Sequence, residues 1–359
     1  MHKNFKNIEK VVFGRGSFDM MDSILSERRT DNARFILFIV DDFFRSKELE
    51  RRLPVRDEDV VRFIDVDPQE PTTEQIDTLR DEVLVSRGIP AGVVGIGGGS
   101  IMDIAKAVSL MFTNEGSSTL YQGLNLIKNP GIYHLGVPTI SGTGAEVSMT
   151  AVLTGPEKKL GLKCDWTVFN QVILDPELIA TVPTDKWFYT GMDTYIHCIE
   201  SENGILNNAY SHAYAEQSLK LCREIYLGDS AGQTPENNDK LMVASMMGGL
   251  SLTYSEVGVC HALSYGLSKI HGEKHCYANC LAFQHLEDYY PEGVKEFKQM
   301  LAKHKVSLPQ GLSKEWSDDE ITAMAQVAYN LHHMWNHAIG TDWQEKISLD
   351  TIKKLYERM

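Results

Sequence analysis

Four side chains able to bind a divalent metal lie at informative spacings in the second half of the sequence. Asp193 and His197 are four residues apart, so on a helix both would project from one face, one turn apart. His261 and His275 lie on either side of a short apolar-patterned segment. One carboxylate and three imidazoles could hold a transition metal and leave room for a substrate oxygen. A lone histidine is more often a hydrogen-bonded structural residue, so spacing alone leaves both interpretations open.

A glycine-rich turn in the first half could bind phosphate. Gly95-Ile-Gly-Gly-Gly-Ser100 follows an apolar run and opens an amphipathic segment, where free N–H groups and a helix dipole would face a pyrophosphate. It lacks the GxGxxG spacing, so a tight strand–helix connection explains it equally well. Asp41 and Asp42 end another apolar run, where a carboxylate could accept ribose hydroxyls or cap a helix. The hydroxyl-rich loop 138–146 suits phosphate or nicotinamide contacts, although such loops are commonly only turns.

The elements that must position these residues differ between the two halves. Strand-length apolar runs alternate with helical patterns in the first half, which predicts a mostly parallel, doubly wound sheet. From about Pro183 onward long helical patterns dominate, which predicts an all-α second domain. The predicted boundaries are 1–180 for the α/β domain and 181–359 for the helical, metal-binding domain. The predicted strands are 11–13, 34–40, 60–67, 91–97, 133–138, 147–153 and 172–174, with helices at about 73–86 and from Ser100, and Ser17 as a helix cap.

Composition limits the classes of function. The chain has 359 residues, 43% of them hydrophobic, and a formal net charge of −14, which argues against nucleic-acid or anionic-membrane surfaces. The N-terminus has no apolar core for a signal peptide and no apolar run is long enough to span a bilayer, so we expect a soluble cytoplasmic protein. Six cysteines without a CxxC pair are expected to be reduced, mostly buried thiols. His332, His333 and His337 are expected on a solvated helix face.

Five motifs, taken together, resemble the iron-containing (group III) alcohol dehydrogenase family. They are GGGSxxDxAK at 97–106, PTxxGTGAEV at 138–147, DPEL at 175–178, GMDxxxHxxE at 191–200 and the paired-histidine segment 261–279. They occur in the family's order and cover most of the chain. Among the branches of the family, the chain most resembles the 3-deoxy-D-manno-octulosonate (Kdo) 8-oxidase type, which oxidises the terminal alcohol of that sugar acid.

The resemblance implies a fold, two cofactors and a set of site residues. The fold is a Rossmann-like parallel-sheet domain followed by an all-α domain, shared with dehydroquinate synthase-like enzymes. The implied metal is iron or zinc, with cobalt or manganese also compatible, on Asp193, His197, His261 and His275. The implied dinucleotide is NAD(H), either exchangeable or tightly bound, and a homodimer is expected. The implied dinucleotide contacts are Asp42, Glu70, Gly97, Gly98, Gly99, Ser100, Asp103, Thr139, Thr143, Lys159 and Leu178.

Two positions near the implied metal depart from the family pattern. Many members carry a histidine four residues after the third ligand, where this chain has Tyr265, and the glycine that usually follows the last ligand is Cys276. A phenol with a pKa near 10 is a poor base at neutral pH, so the proton route is left open. Tyr265 and His271 are the candidate catalytic residues. Lys163, His271 and Lys274 are candidate partners for a substrate carboxylate, although a solvated surface position is the simpler explanation for each.

The sequence therefore predicts metal-dependent oxidation of a primary alcohol on a small polar substrate, by hydride transfer to a nicotinamide. The 8-hydroxyl of Kdo, in lipopolysaccharide sugar biosynthesis, is the specific expectation. A general NAD-dependent alcohol or polyol dehydrogenase, a dehydroquinate synthase-like lyase and a non-catalytic binding protein are the alternatives. Asp42 would repel a 2′-phosphate and so favours NAD over NADP.

Overall fold

The computed structural model describes residues 6–29, 35–66 and 70–359. The chain divides into two compact units. An α/β unit extends to Thr181, and a helical unit begins at Val182 and also includes Ser141–Gly144. A parallel α/β sheet unit followed by a helical unit confirms the predicted fold class.

Six strands of the α/β unit form one parallel sheet in the order β1-β9-β6-β4-β2-β3. Its inner strands are buried along almost their whole length, which explains why their sequences are continuous apolar runs rather than alternating ones. The strands within the described residues are β1 Lys10–Phe13, β2 Ile36–Asp41, β3 Val60–Ile64, β4 Gly92–Gly97, β5 Gly123–Leu124, β6 His134–Pro138, β7 Thr150–Thr154, β8 Lys159–Lys163 and β9 Gln171–Leu174.

A second, three-stranded sheet of order β5-β8-β7 was not expected from the sequence. The segment predicted as a strand at 147–153 contributes β7, which pairs antiparallel with β8 rather than joining the parallel sheet. Two residues of predicted strands, Arg34 and Asp67, lie outside the described residues.

The helices of the α/β unit alternate with its strands, whereas those of the helical unit follow one another directly. In the α/β unit they are α1 Met21–Ser26, α2 Glu48–Arg51, α3 Thr73–Ser86 and α4 Gly99–Met111. In the helical unit they are α5 Thr184–Glu202, α6 Ala209–Leu227, α7 Pro235–Tyr254, α8 Val259–His271, α9 His275–Phe283, α10 Pro291–His304, α11 Asp318–Tyr329, α12 His332–Ile339, α13 Trp343–Lys346 and α14 Leu349–Glu357. Among the described helices, none combines the length and apolar character needed to cross a membrane.

The first turn of helix after β1 is capped from a distant part of the chain. Asp175 accepts hydrogen bonds from the backbone N–H groups of Gly16 at 3.1 Å and Phe18 at 2.9 Å. The predicted capping role of Ser17 is wrong, because its hydroxyl instead donates to the carbonyl of Leu174 at 3.4 Å. The DPEL motif therefore joins the end of β9 to the start of the chain.

One of the three late histidines is a core residue. His332 and His333 are exposed as expected, but His337 is fully buried, so that expectation is wrong for it. The ring of His337 lies 3.0 Å from the backbone carbonyl of Glu200 and accepts the N–H of Leu206 at 3.3 Å. It thus joins the last turn of α5 to the residues that follow this helix. Five of the six free thiols are buried, in line with their expected apolar role, and Cys276 is partly exposed.

Candidate metal centre

Three helices of the helical unit bring the four predicted ligands to one point. Asp193 and His197 come from α5, His261 from the first turn of α8, and His275 is the first residue of α9. Asp193 Oδ1 lies 3.6, 3.5 and 3.7 Å from Nε2 of His197, His261 and His275 respectively. The ligand atoms all lie within 4.8 Å of one another. Donors about 2.1 Å from a tetrahedral ion are about 3.4 Å apart, so the spacing around Asp193 suits such an ion.

Local sequence explains how the helices converge. The i, i+4 spacing on α5 places Asp193 and His197 on one face. Gly272 ends α8 in the left-handed conformation, with φ of +71°, so that α9 begins only three residues later. At Gly258, just before α8, a Cβ atom would come within 2.6 Å of the Tyr290 hydroxyl and 3.2 Å of Glu200 Oε1. The glycine allows the start of α8 to approach α5 closely.

The charge states of Asp193 and His197 suit metal binding, whereas His261, with a pKa raised to about 9, must lose a proton before it can ligate an ion. Burial opposes ionisation of Asp193, but the neighbouring imidazoles outweigh it and hold the pKa of this carboxyl well below its usual range. Burial lowers the pKa of His197 to about 4, which keeps that ring neutral near pH 7. An ionised carboxylate and a neutral imidazole are the forms that ligate a metal.

The sequence reasoning gave no role to Glu200, which holds His261 in place. One carboxylate oxygen of this buried residue lies 2.5 Å from His261 Nδ1. The other accepts the N–H of Cys260 at 2.6 Å and the hydroxyl of Tyr290 at 3.3 Å. Burial opposes protonation of His261, but Glu200 and then Asp193 raise its pKa to about 9. Glu200 thereby turns Nε2 of His261 towards Asp193, as carboxylates do behind metal-bound histidines. Glu200 follows Asp193 by seven residues, so on a helix the two side chains share one face, and this spacing could have identified Glu200 from the sequence.

A second residue without a predicted role is Asn279, one turn after His275 on α9. Its side-chain nitrogen lies 2.6 Å from Asp193 Oδ1, 3.1 Å from His261 Nε2 and 3.3 Å from His275 Nε2. Cys276 approaches the other oxygen of Asp193, with its sulfur 3.5 Å from Oδ2. Asn279 and Cys276 both lie on α9, the helix whose first residue is the predicted ligand His275.

The two candidate catalytic residues lie in different surroundings. Tyr265 follows His261 by one helical turn, and its ring stands edge-on to that of His275 with centroids 6.0 Å apart. His271, at the end of α8, stacks on Trp316 with centroids 5.1 Å apart. The side chain of His275 is 36% exposed, whereas that of Asp193 is fully buried. Of the four donors, His275 is therefore the most open to solvent, and Tyr265 lies against its ring.

The glycine turn in the α/β unit has the features expected of a phosphate loop. Gly98 precedes α4, and no side chain caps the first N–H groups of that helix. A Cβ atom on Gly97 would come within 2.7 Å of Ile101 Cβ, so a larger residue here would have to displace Ile101. Thr139 donates its N–H to the carbonyl of Gly97 at 2.9 Å. Burial raises the pKa of Asp103 to about 6, and this carboxylate accepts a hydrogen bond from the N–H of Val152 at 3.1 Å.

The other predicted dinucleotide contacts have partners within the protein or belong to its core. Asp42 pairs with Arg45, whose Nε lies 2.7 Å away, while the neighbouring Asp41 caps the short turn of helix. Glu70 and Lys159 form an ion pair at 2.5 Å. Leu178 packs in the hydrophobic core of the α/β unit, and Thr143 falls in the segment that belongs to the helical unit.

Comparison with known proteins places these features in a family. The model of the iron-containing alcohol dehydrogenases matches residues 9–176, and that of the Fe-containing alcohol dehydrogenase family C-terminal region matches residues 187–337. A sulfoacetaldehyde reductase from Bilophila wadsworthia is 33% identical over 54% of this chain, and the match spans only half of that relative. The NAD-dependent methanol dehydrogenase of Bacillus methanolicus is 28% identical over 77% of this chain and 72% of its own length.

Solved structures share the fold at lower identity. The crystal structure of a sulfoacetaldehyde reductase from Bifidobacterium kashiwanohense in complex with NAD+ matches with a TM-score of 0.82 and 21% identity, covering 99% of this chain and 98% of its own. The two family models together span both units. The chain belongs to the iron-containing alcohol dehydrogenase family.

Proposed function

We propose that the protein is a metal- and NAD-dependent oxidoreductase that interconverts a primary alcohol and an aldehyde on a small polar substrate. The observation that carries this proposal is the convergence of one ionised carboxylate and three imidazoles in the helical unit. This donor set fits iron, zinc, cobalt or manganese. A divalent ion held there would supply a Lewis acid that lowers the pKa of a substrate hydroxyl.

The protein's own residues would hold and orient the reactants. Asp193, His197, His261 and His275 would hold the ion, with Glu200 behind His261. The uncapped N–H groups at the start of α4 would bind the pyrophosphate of a dinucleotide, and the nicotinamide would accept the hydride. Tyr265 lies beside His275, the most exposed of the donors, where it would contact the substrate. Its phenol would orient a hydroxyl by hydrogen bonding rather than remove its proton.

For the substrate, the 8-hydroxyl of Kdo is the first candidate, from the resemblance of the sequence to the Kdo 8-oxidase branch of the family. Sulfoacetaldehyde is the second, because a relative of that activity is 33% identical over about half of this chain. Kdo carries a carboxylate and sulfoacetaldehyde a sulfonate, so both need a cationic partner. Lys163, His271 and Lys274 remain the candidates for that partner.

The experiment combines metal analysis with a substrate panel. The protein as purified, and its His261→Ala variant, would be analysed for metal and for NAD(H) released on denaturation. Each would then be assayed with Kdo, methanol and 1,3-propanediol using NAD and NADP, and with sulfoacetaldehyde using NADH and NADPH. We expect stoichiometric metal and turnover in the unmodified protein and loss of both in the variant.

Three other results would contradict the proposal. A metal-free His261→Ala variant with full activity would rule out the metal-dependent mechanism. Product formation with no net oxidation or reduction of substrate would indicate a lyase. Absence of metal and nucleotide, even after both are added back, would indicate a binding protein. Sedimentation velocity on the same sample would test the expected homodimer.

A further inference from the structure

We propose that Asn279 is a positioning residue of the metal centre, whose side-chain amide determines which oxygen of Asp193 faces the ion. Its second N–H can donate to only one of the two nearby imidazole nitrogens, Nε2 of His261 or Nε2 of His275, while no ion is bound. This inference rests on the proposed metal site and assigns a role to a residue that is not itself a ligand.

Hydrogen bonds fix the orientation of the Asp193 carboxylate. Its Oδ1 is the atom on which the three imidazoles converge, and it accepts a hydrogen bond from Asn279 Nδ2 at 2.6 Å. Its Oδ2 faces the thiol of Cys276 at 3.5 Å. The two oxygens thus have different partners, and a rotation of the carboxylate would break the shorter contact. Asn279 therefore holds Asp193 with one defined oxygen towards the imidazoles.

The chemistry of the Asn279 amide determines which of its atoms faces Asp193. A primary amide carries two N–H donors on nitrogen, and the oxygen accepts only. Turning the amide over would set its oxygen against the ionised Asp193, so the nitrogen must face the carboxylate. The same nitrogen lies within 3.3 Å of two imidazole nitrogens, His261 Nε2 and His275 Nε2. For His261, Nδ1 is bound to Glu200, which leaves Nε2 for the centre.

Burial makes the hydrogen bond between Asn279 and Asp193 hard to replace. Asn279 and Asp193 are both fully buried, so bulk water does not replace the amide if it is removed. A buried carboxylate that loses a hydrogen-bond donor either bears the full desolvation cost or moves. Because Asn279 and His275 lie one turn apart on α9, this helix delivers a ligand and the group that orients another ligand together.

The test compares Asn279→Leu and Asn279→Ser with a matched control. Asn238→Leu is the control, because Asn238 is also a buried asparagine of the helical unit, and its described side-chain bond is to the indole N–H of Trp187 at 3.0 Å. Zn²⁺ affinity would be measured by chelator competition at constant pH, and Co²⁺-loaded protein by its visible absorption spectrum. Thermal unfolding of the metal-free proteins would record any general loss of stability.

We expect Asn279→Leu to weaken Zn²⁺ binding by about 10- to 100-fold, as for other residues that orient metal ligands, and to change the Co²⁺ spectrum. Asn279→Ser, whose hydroxyl and space for a water restore part of the donation, should fall between. Asn238→Leu should lower the melting temperature and leave both metal readouts unchanged.

Unchanged or tighter Zn²⁺ binding in Asn279→Leu would overturn the inference, since tighter binding would mean that the amide competes with the ion. An equal loss in Asn238→Leu would also overturn it, as the effect would then be general. Failure of the unmodified protein to bind any metal is a different result, which would reject the proposed function itself.

Discussion

At the scale of single residues, the candidate centre depends on side chains behind the ligands. Glu200 is buried and its contact with His261 Nδ1 is 2.5 Å long. Replacing Glu200 with glutamine keeps the shape and removes the charge that favours this orientation of the ring. We expect Zn²⁺ affinity to fall by about 10- to 100-fold, measured by chelator competition.

The control for Glu200→Gln lies on the same helix. Glu202 contacts His212 Nδ1 at the same 2.5 Å, but His212 is about half exposed. Exposed ion pairs contribute about 0–1 kcal/mol, so Glu202→Gln should leave metal affinity unchanged. Equal losses in the two variants would mean that the buried contact has no specific role.

The pair of Asp42 and Arg45 modifies the expected preference for NAD. A carboxylate alone would repel a 2′-phosphate, but here a guanidinium already contacts it at 2.5 Å. Removing the acid in Asp42→Ser would free Arg45 for a phosphate, which is the usual arrangement for NADP. We expect the ratio of kcat/KM for NADP to that for NAD to rise by about 10-fold or more, since one charge-assisted contact contributes about 1.5–3 kcal/mol. The double variant Asp42→Ser with Arg45→Ala should lose this gain; if it does not, Arg45 is not the phosphate partner.

At the scale of elements, two adjacent glycines between β4 and α4 are expected to have different roles, Gly97 in packing and Gly98 in ligand binding. A methyl group on Gly97 would overlap Ile101, whereas on Gly98 it would meet Ile140 at 3.4 Å, an ordinary contact. Gly97→Ala should therefore destabilise the protein by about 1–3 kcal/mol in urea unfolding. Gly98→Ala should leave stability nearly unchanged and weaken NAD binding in calorimetry, because its methyl group would narrow the approach to the helix N-terminus. Unaltered NAD binding in Gly98→Ala would contradict the assignment of this turn to the pyrophosphate.

The elements that the sequence predicted are those with a strong local pattern. The inner strands are continuous apolar runs, and the pair on α5 has helical spacing, so both were visible in one segment. The strand β8, in contrast, reads KLGLK, and only its antiparallel pairing with β7 makes it a strand. Burial of His337 was equally invisible, because its partner is a backbone carbonyl 137 residues away in sequence.

The candidate site was also predictable only in part from the sequence. The ligands follow from residue type, spacing and family resemblance. Asn279 and Glu200 required the packing of α5, α8 and α9 to be known, because their partners lie on other helices.

At the scale of the whole molecule, acid stability is expected to depend on a buried histidine of the sheet. His134, at the start of β6, is 3% exposed, and burial lowers its pKa from 6.5 to about 4. Because the pKa of His134 is lower in the folded protein than in the unfolded chain, the unfolded chain binds the proton first as the pH falls. The free energy of unfolding is therefore highest above pH 6.5 and decreases as the pH falls towards 4. The loss amounts to about 3.5 kcal/mol at most, from about 1.4 kcal/mol for each pH unit.

The variant His134→Leu isolates the contribution of His134 to stability in acid. Asp103, with its pKa raised to about 6, acts in the opposite direction, since its contribution is present at low pH and lost as the pH rises. The difference in unfolding free energy between the unmodified protein and His134→Leu removes such shared terms. Urea unfolding between pH 7 and pH 4 should show this difference shrinking as the pH falls, and a constant difference would mean that His134 does not titrate with folding.

Adding or removing each ligand should affect a different part of the chain, because the residues proposed to bind the metal and the dinucleotide lie in different units. The metal donors come from α5, α8 and α9, so a bound ion links helices far apart in sequence and stabilises them by mass action. Hydrogen exchange should show Zn²⁺ slowing exchange mainly in those three helices, and NAD slowing it mainly around Gly97–Ser100. The His261→Ala variant should lose the response to Zn²⁺ and keep the response to NAD. Slower exchange around Gly97–Ser100 on adding Zn²⁺ to NAD-free protein, with α5 unaffected, would place the ion outside the four-donor centre and reject the assignment of its ligands.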